Sequence, residues 1–357
     1  MLAKLEIIYD NDQVQSRGYL DNGDLAYCLH ESFVFDSKEA VYIARIERIN
    51  SKNKLAFINY ENGKTGVINL ASSKSSKLQA GAYLLCQMNW AGDENKLPKF
   101  TKSIKLVGRF IILLPDTDKH YFAKDLLDKT RLNDLSNKYN QIGLIFRSQI
   151  NNLADLSVVD AEINFFTKQL DLINHALKNS VGLIIPPTYK FMQLLRGVEF
   201  TDNFEIVTNN QQIFDVLHPY LDLWLIDSIS LDPASCVIPA KARIQDSNKL
   251  FPNKITTAQG ISLEINQLSG INLIDINSVD TNLTFYQVNY LAIDEIIRQI
   301  WLRDLTGIIL IDFIKNMSLS EQQKIVDKLT GILNKDWRKT DILGFTRAEI
   351  CEIIRSK

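Results

Sequence analysis

Residues 271–314 read INLIDINSVDTNLTFYQVNYLAIDEIIRQIWLRDLTGIILIDFI, and this stretch decides the fold. Residues 271–276 form an apolar run short enough for a buried strand, and 308–314 form a second. Between them Ile293, Ile296, Ile297 and Ile300 recur at helical spacing over 289–305, and Gly307 breaks the pattern. A strand, a helix and a strand in succession predict a parallel pair joined by a right-handed crossover. Each strand carries one aspartate near its C-terminal end, Asp275 and Asp312. Side chains alternate along a strand, so Asp275 and Asn277 share a face. Neighbouring parallel strands can bring Asp275 and Asp312 together at the carboxyl edge, where α/β proteins place their ligands. Two carboxylates that close repel each other unless a cation or a proton lies between them. Mg²⁺ suits such a pair, since it takes one or two carboxylates and fills its other positions with water and phosphate oxygen. Such an ion can polarise a phosphodiester and supply an activated water. Taken singly, a strand-end aspartate is more often just the end of a strand capping a turn, and spacing alone only suggests the pair.

Outward from this unit, Ser320 and Gln323 fit a capping box ahead of a helix carrying Ile325, Leu329, Ile332 and Leu333. A last helix is expected around 348–355. At the other end, residues 1–35 alternate apolar and polar side chains around Asn22-Gly23, a strong hairpin signal. Over 40–107, short strand-like runs at 41–46, 55–60, 66–70 and 83–90 are separated by polar turns, as in a small barrel of the OB type. Strands are expected at 109–114 and 143–147, with a charged helical stretch at 122–139 between them. Residues 188–252 are weakly patterned. Within them, DPASCVIPAKARIQDSNKLFP (232–252) has three prolines and no period, and its CVIPAKARIQ core resembles a peptide encoded by mobile palindromic repeats. It belongs in an exposed loop. The expected fold class is α/β, with several subdomains.

A chain of 357 residues is too long for one core, and two to four domains are expected. No run of eighteen apolar residues lacks a charge, so no membrane span is expected, and the start MLAKLEIIYDND does not read as a secretion signal. The four cysteines, Cys28, Cys86, Cys236 and Cys351, lie far apart without a C-x-x-C. That suits a reducing, cytoplasmic setting and argues against a structural zinc site. The net charge of −2 means that a nucleic-acid surface would have to be locally basic.

The stretch 271–314 resembles the catalytic core of the ribonuclease E/G family. That family reads IDIN-S/T, then N-x-x-A-x-x-E-I-A-R-Q-x-x-L-R-x-L-x-G, then an apolar strand ending I-D-F-I. Asp275, Asn277, Asn289, Ala292, Glu295, Ile296, Arg298, Gln299, Leu302, Arg303, Leu305, Gly307, Asp312 and Phe313 fall in place without a gap. The resemblance implies a cytoplasmic endoribonuclease acting on single-stranded RNA, with one Mg²⁺ per active site held by Asp275 and Asp312 and with Asn277 orienting one of them. Leu343-Gly-Phe-Thr-Arg347, with Glu352 and Arg355, looks like the family's G-F/W-T-R-x-x-x-x-E-x-x-R segment. Arg338 and Lys339 align with a basic stretch that holds RNA near the metal, and with Arg347 they are candidate RNA contacts. Without the resemblance, a solvated basic face reads equally well for all three. Residues 40–107 resemble the family's S1-type barrel, with Phe57 at the place of a base-stacking aromatic and Lys96 at that of an RNA-contacting lysine. Gly143-Leu-Ile-Phe-Arg147-Ser148 looks like the G-x-I-x-R-T of the 5′ sensor, implying that Arg147 and Ser148 bind a 5′-monophosphate. The implied architecture is a ribonuclease H-like subdomain (1–35 and 185–253) split by the S1-type barrel (36–107) and the 5′-sensor subdomain (108–184). A deoxyribonuclease I-like catalytic subdomain (254–357) follows.

Several positions depart from the family. Its second barrel aromatic is Val67 here, Lys96 is followed by Leu97 and Pro98, and its D-Q-T-E-A strand reads Asn266-Gln-Leu-Ser-Gly270. Lys315 stands where many relatives are acidic. The sequence ends before the family's C-P-x-C zinc link, so neither zinc nor the zinc-joined dimer or tetramer is expected, although other self-association is compatible. Two readings remain from the residues: a Mg²⁺-dependent endoribonuclease, and a catalytically weak or inactive RNA-binding protein of the same fold. The intact Asp275, Asn277 and Asp312 favour the first; Val67 and Lys315 favour the second.

Overall fold

The computed structural model describes residues 1–32, 38–70, 79–92, 96–175, 180–232, 251–268, 270–278 and 282–356. Most of the proline-containing segment 232–252, Cys236 included, lies outside them. The chain divides into two compact units. One comprises Met1–His30, Gly197–His218 and Asp227–Lys357, the other Glu31–Arg196 and Pro219–Ile226. Both mix helices with sheets, as the α/β reading requires. No helix of the described residues is long and apolar enough to cross a membrane.

The first unit holds two sheets. In one, the strands run in the order Ser228–Leu231, Phe200–Thr208, Leu2–Asp10, Gln13–Leu20, Leu25–Ser32. Its first three strands are parallel to one another, and the rest form an antiparallel meander. The Asn22-Gly23 hairpin forms as expected, with Gly23 at φ +82° and its N–H donated to the Leu20 carbonyl at 2.9 Å. A second tight turn sits at Asn11-Asp12, where both residues take positive φ (48° and 60°), the requirement of a type I′ turn. Phe200–Thr208 comes from the stretch that has no clear pattern in the sequence; its partner lies about two hundred positions away, so only tertiary pairing reveals it.

The second sheet orders its strands Lys254–Thr256, Ile261–Leu268, Ile271–Ser278, Gly307–Asp312, Ile350–Arg355, Thr340–Phe345. Only the Ile271–Ser278 and Gly307–Asp312 pair is parallel. The helix joining them, Phe285–Leu302, is capped by a Thr284–Gln287 box and buries Val288, Ala292, Ile293, Ile296, Ile297 and Ile300. These residues pack with Ile325, Leu329 and Leu333 of the helix Leu319–Leu333 and with Ile274, Ile276, Ile309 and Ile311 of the strands. The second helix starts two residues earlier than Ser320 and Gln323 indicate, because Ser318 and Glu321 form the capping box. A Glu carboxylate at this position also complements the positive end of the helix, which Gln323 could not.

The helix expected around 348–355 is instead the strand Ile350–Arg355, hydrogen-bonded on both sides. Cys351, Ile353 and Arg355 alternate inward, a period of two that β-branched isoleucines favour. Arg355 anchors this strand. Its Nε donates to Asp336 at 2.6 Å and its Nη1 to Asp304 at 2.9 Å, while Arg338 grips Asp304 through Nε (2.7 Å) and Nη2 (2.6 Å). Burial alone would raise the Asp304 carboxyl, but Arg338 and Arg355 outweigh it and hold it below the usual carboxylate range.

In the second unit, Val41–Asn50, Leu55–Glu61, Lys64–Asn69, Lys99–Thr101 and Tyr83–Trp90 pair in that order, and the last pairs back with the first to close a small barrel. Its interior holds Tyr42, Ile46, Ala56, Ile58, Tyr60, Ile68, Met88 and Phe100. Beside it, a four-stranded sheet (His120–Phe122, Gly143–Phe146, Ile111–Leu114, Leu106–Val107) packs against the helix Ser157–His175. Buried Glu162 on that helix accepts the N–H groups of Arg109, Phe110 and Ile111 and the Trp224 indole N–H at 2.7–2.9 Å. The long helix expected over 122–139 reduces to the single turn Thr130–Leu132 and Asn133–Lys138. Asp128 accepts from the Thr130 N–H and hydroxyl, a local turn that competes with helix over the preceding residues.

Removing Asp304 leaves two buried guanidinium groups without their shared partner. Asp304→Ala should therefore cost about 3–5 kcal/mol, read as a lower urea midpoint with an unchanged m-value. Because the carboxyl is depressed in the folded state, its contribution is complete above about pH 4, the unfolded value, and fades as the pH drops through the lower folded one. Wild-type stability should fall more steeply with acid than that of the variant.

Candidate active site

Asp275 and Asp312 are direct register partners on the two parallel strands. Ile274, Ile276, Ile309 and Ile311 turn to the helices and are buried, which forces the aspartates onto the opposite face. Asn277, two residues on, donates its Nδ2–H to Asp275 Oδ2 at 2.6 Å. That contact fixes the Asp275 carboxylate and leaves the Asn277 carbonyl oxygen available. The three side chains, with Ile276, Phe313, Ile314 and Lys315, line a cleft of about 310 Å³ at the carboxyl edge of the strands.

The backbone just past Asp312 is latched from the connecting helix. Asn289, fully buried, donates to the Ile314 carbonyl at 2.8 Å and accepts the Ile314 N–H at 3.0 Å. A helix side chain thereby completes the ladder where the strand has ended, and sets the course of the chain that carries Lys315 past the cleft.

Sequence reasoning overlooks Glu264, which is the register partner of Asp275 on its other side. Three acids, Glu264, Asp275 and Asp312, therefore lie in one row across the sheet. The alternation in ISLEINQL puts Glu264 on the polar face, but its row could be known only from the register. Among the described residues, no three His, Cys, Asp or Glu side chains are grouped to hold a metal ion. A two-carboxylate, all-oxygen set with an amide beside it is the chemistry of a Mg²⁺ site and not of a zinc site. The residues present therefore fit Mg²⁺.

The other candidate residues fall in varied settings. Phe57 is half-exposed on the outer wall of the barrel, since Ala56, Ile58 and Tyr60 take the interior, and Arg48 lies over its ring at 4.2 Å. Lys96 is exposed. Lys339 and Arg347 are also exposed, with Lys339 3.3 Å from Asp341. Arg338 is only 6% exposed and committed to Asp304, so the solvated basic face expected there keeps Lys339 but not Arg338. Arg147 is half-buried and donates to the Gly108 carbonyl. Burial, with the nearby Arg196 charge, pushes its pKa down to about 10, which leaves it cationic at neutral pH. Ser148 follows at the start of the turn Ser148–Asn152. Cys28, Cys86 and Cys351 are buried free thiols.

The sheet, the connecting helix and the acid pair define an α/β protein with two carboxylates side by side at the carboxyl edge of parallel strands. Residues 105–357, more than half of the sequence, match the model of the Ribonuclease E/G family, and the chain belongs to that family. It is similar to Ribonuclease E of Buchnera aphidicola subsp. Schizaphis graminum, at 24% identity over 391 aligned residues, covering 99% of this chain and 40% of that protein. Ribonuclease E of Escherichia coli K12 is also 24% identical, over 99% of this chain and 37% of its own length. A Ribonuclease E/G-like protein of Pyropia yezoensis is 24% identical over 89% of this chain and 68% of its own. The chain thus spans well under half of the two Ribonuclease E proteins.

Replacing Asn289 by Leu keeps its bulk but strands the Ile314 N–H and C=O. Each buried unsatisfied group costs about 1–3 kcal/mol, so Asn289→Leu should melt at lower temperature, and the Ile314 amide should lose hydrogen-exchange protection. Unchanged exchange at Ile314 would show that the latch is not formed in solution.

Proposed function

We propose that this chain is a Mg²⁺-dependent endoribonuclease acting on single-stranded RNA, and the in-register Asp275/Asp312 pair with Asn277 on the same open face carries the reading. Asp275 and Asp312 would hold the ion through their carboxylate oxygens. When bound, Mg²⁺ supplies charge for the phosphodiester oxygens and a water made acidic enough to attack phosphorus. Asn277 keeps the Asp275 carboxylate in one orientation through its amide N–H. Asn289 holds the backbone beyond Asp312, so the second carboxylate is presented from a fixed strand end. Lys339 and Arg347 are assigned to the RNA backbone, as exposed cations whose contacts carry no sequence information.

On the barrel, Phe57 is assigned to stack on a base and Lys96 to a phosphate. Arg147 and Ser148 are assigned to a 5′-monophosphate. Arg147 retains donors beyond the one given to Gly108, and it is charged at neutral pH. This reading carries with it the finer architecture: ribonuclease H-like (1–35, 185–253), S1-type (36–107), 5′-sensor (108–184) and deoxyribonuclease I-like (254–357) parts, in a cytoplasmic protein. A specific observation favours a second reading, that of a catalytically weak RNA-binding protein. Lys315 lines the same cleft as the acid pair, where an ammonium turned inward would compete with a metal for the two carboxylates.

Two experiments test the proposal. Purified protein should cleave a 5′-monophosphorylated AU-rich RNA in Mg²⁺ and not in EDTA, and Asp275→Asn should abolish cleavage without lowering the melting temperature, since the change is nearly isosteric. Cleavage by the variant at the wild-type rate would place the chemistry elsewhere. The same RNA should be cut about tenfold faster than its 5′-triphosphate or 5′-hydroxyl forms, the size of one charge-assisted contact, with Arg147→Ala levelling the three rates. Equal rates with wild-type protein would reduce Arg147 to a structural arginine.

A further inference from the structure

The outer wall of the barrel carries more than Phe57. Following the register across the strands, Arg48 pairs with Phe57, Phe57 with Val67, Val67 with Lys99, and Lys99 with Trp90. These five residues form one continuous row on the outside of the barrel, because their neighbours Ala56, Ile58, Ile68, Met88 and Phe100 fill its interior. The row has a cation and an aromatic at each end. Arg48 lies 4.2 Å from the Phe57 ring centroid, and Lys99 Nζ lies 5.2 Å from that of Trp90. Neither aromatic is buried, and Arg48 and Lys99 are exposed. A bulge between Met88 and Trp90 shifts the register there, so Trp90 joins the outer row opposite Lys99.

We propose that Trp90 and Lys99 form a second stacking subsite for single-stranded RNA, occupying a different place on the barrel wall from Phe57. The proposal rests on the reading of the barrel as an RNA-binding surface. An indole is a large π-face that stacks on any base, and the ammonium beside it can reach the adjoining phosphate. Trp90 is three strands away from Phe57, about 14 Å around the wall at ordinary strand spacing, so the two rings serve different bases and do not clamp one. The surroundings suit a polyanion. Lys52 and Lys54, exposed in the turn between the first two strands of the barrel, and Lys96, ahead of the Lys99 strand, flank the row. In OB-type barrels these two loops border the oligonucleotide face. Val67 sits in the middle of the row, where a small aliphatic side chain stacks poorly. Trp90, two strands further along the row, supplies the second aromatic that this position lacks.

Binding of a fluorescein-labelled oligouridylate to the full chain, in EDTA so that nothing is cut, tests the proposal. Trp90→Ala should weaken binding about tenfold or more, as alanine replacement of a stacking aromatic does, and Trp90→Phe should recover most of the loss. Lys99→Ala should lower the slope of log affinity against log salt by about one. RNA should also quench the intrinsic tryptophan fluorescence of the wild type more than that of Trp90→Phe, a comparison that does not depend on a stable alanine variant. If Phe57→Ala loses affinity while Trp90→Ala binds like the wild type and the quenching is equal, the subsite is refuted and the barrel reading stands. If neither variant loses affinity, the barrel reading fails, and the subsite with it.

Discussion

The in-register parallel pairing of Ile271–Ser278 with Gly307–Asp312 is the constraint on which the site depends. Register in a half-buried sheet is fixed by which residues must face the core, because a slip of one position would turn every side chain to the other face. Here Ile274, Ile276, Ile309 and Ile311 are held against the isoleucines of Phe285–Leu302. The hydrophobic burial of four isoleucines therefore sets two carboxylates side by side, against their own repulsion. Apolar packing supplies the free energy, and the polar face receives its geometry as a consequence.

The same logic accounts for the supports around the pair. Asn289 is the one polar side chain among the buried residues of its helix that binds backbone just past Asp312, and it stands where the strand has run out of ladder partners. On the far side of Gly307–Asp312, Arg355 and Arg338 close on Asp304 and Asp336 in a buried ionic cluster that ties Ile350–Arg355 into the sheet. A cluster of this kind contributes little net stability against an apolar replacement, yet losing one member is costly, so it fixes how the strand sits more than how tightly it is held.

Much of this was legible in the residues, and the rest was hidden for physical reasons. The strand–helix–strand unit could be read because its apolar runs are long and its helical spacing clean, and the small barrel because its strands are short and evenly punctuated. The Ile350–Arg355 strand reads as helix in the sequence because ICEIIR is short, and a helix and a strand bury similar fractions of such a segment. Two-sided pairing decided it. Residues 122–139 carry helix-forming side chains, but the Asp128 turn stops them locally. Arg338 reads as a surface cation because nothing in its neighbourhood announces Asp304, thirty-four positions earlier. Glu264 and the row from Arg48 to Trp90 depend on strand register, which the order of residues along the chain does not contain.

Direct detection of a divalent cation at the acid pair tests the central claim more sharply than any rate. Mn²⁺, which takes the same oxygen ligands as Mg²⁺, can be followed by electron paramagnetic resonance as it is titrated into the protein. The account predicts one site per chain that Mg²⁺ displaces and that Asp312→Asn removes while the melting temperature holds. A site that keeps its affinity and stoichiometry in Asp312→Asn would contradict it.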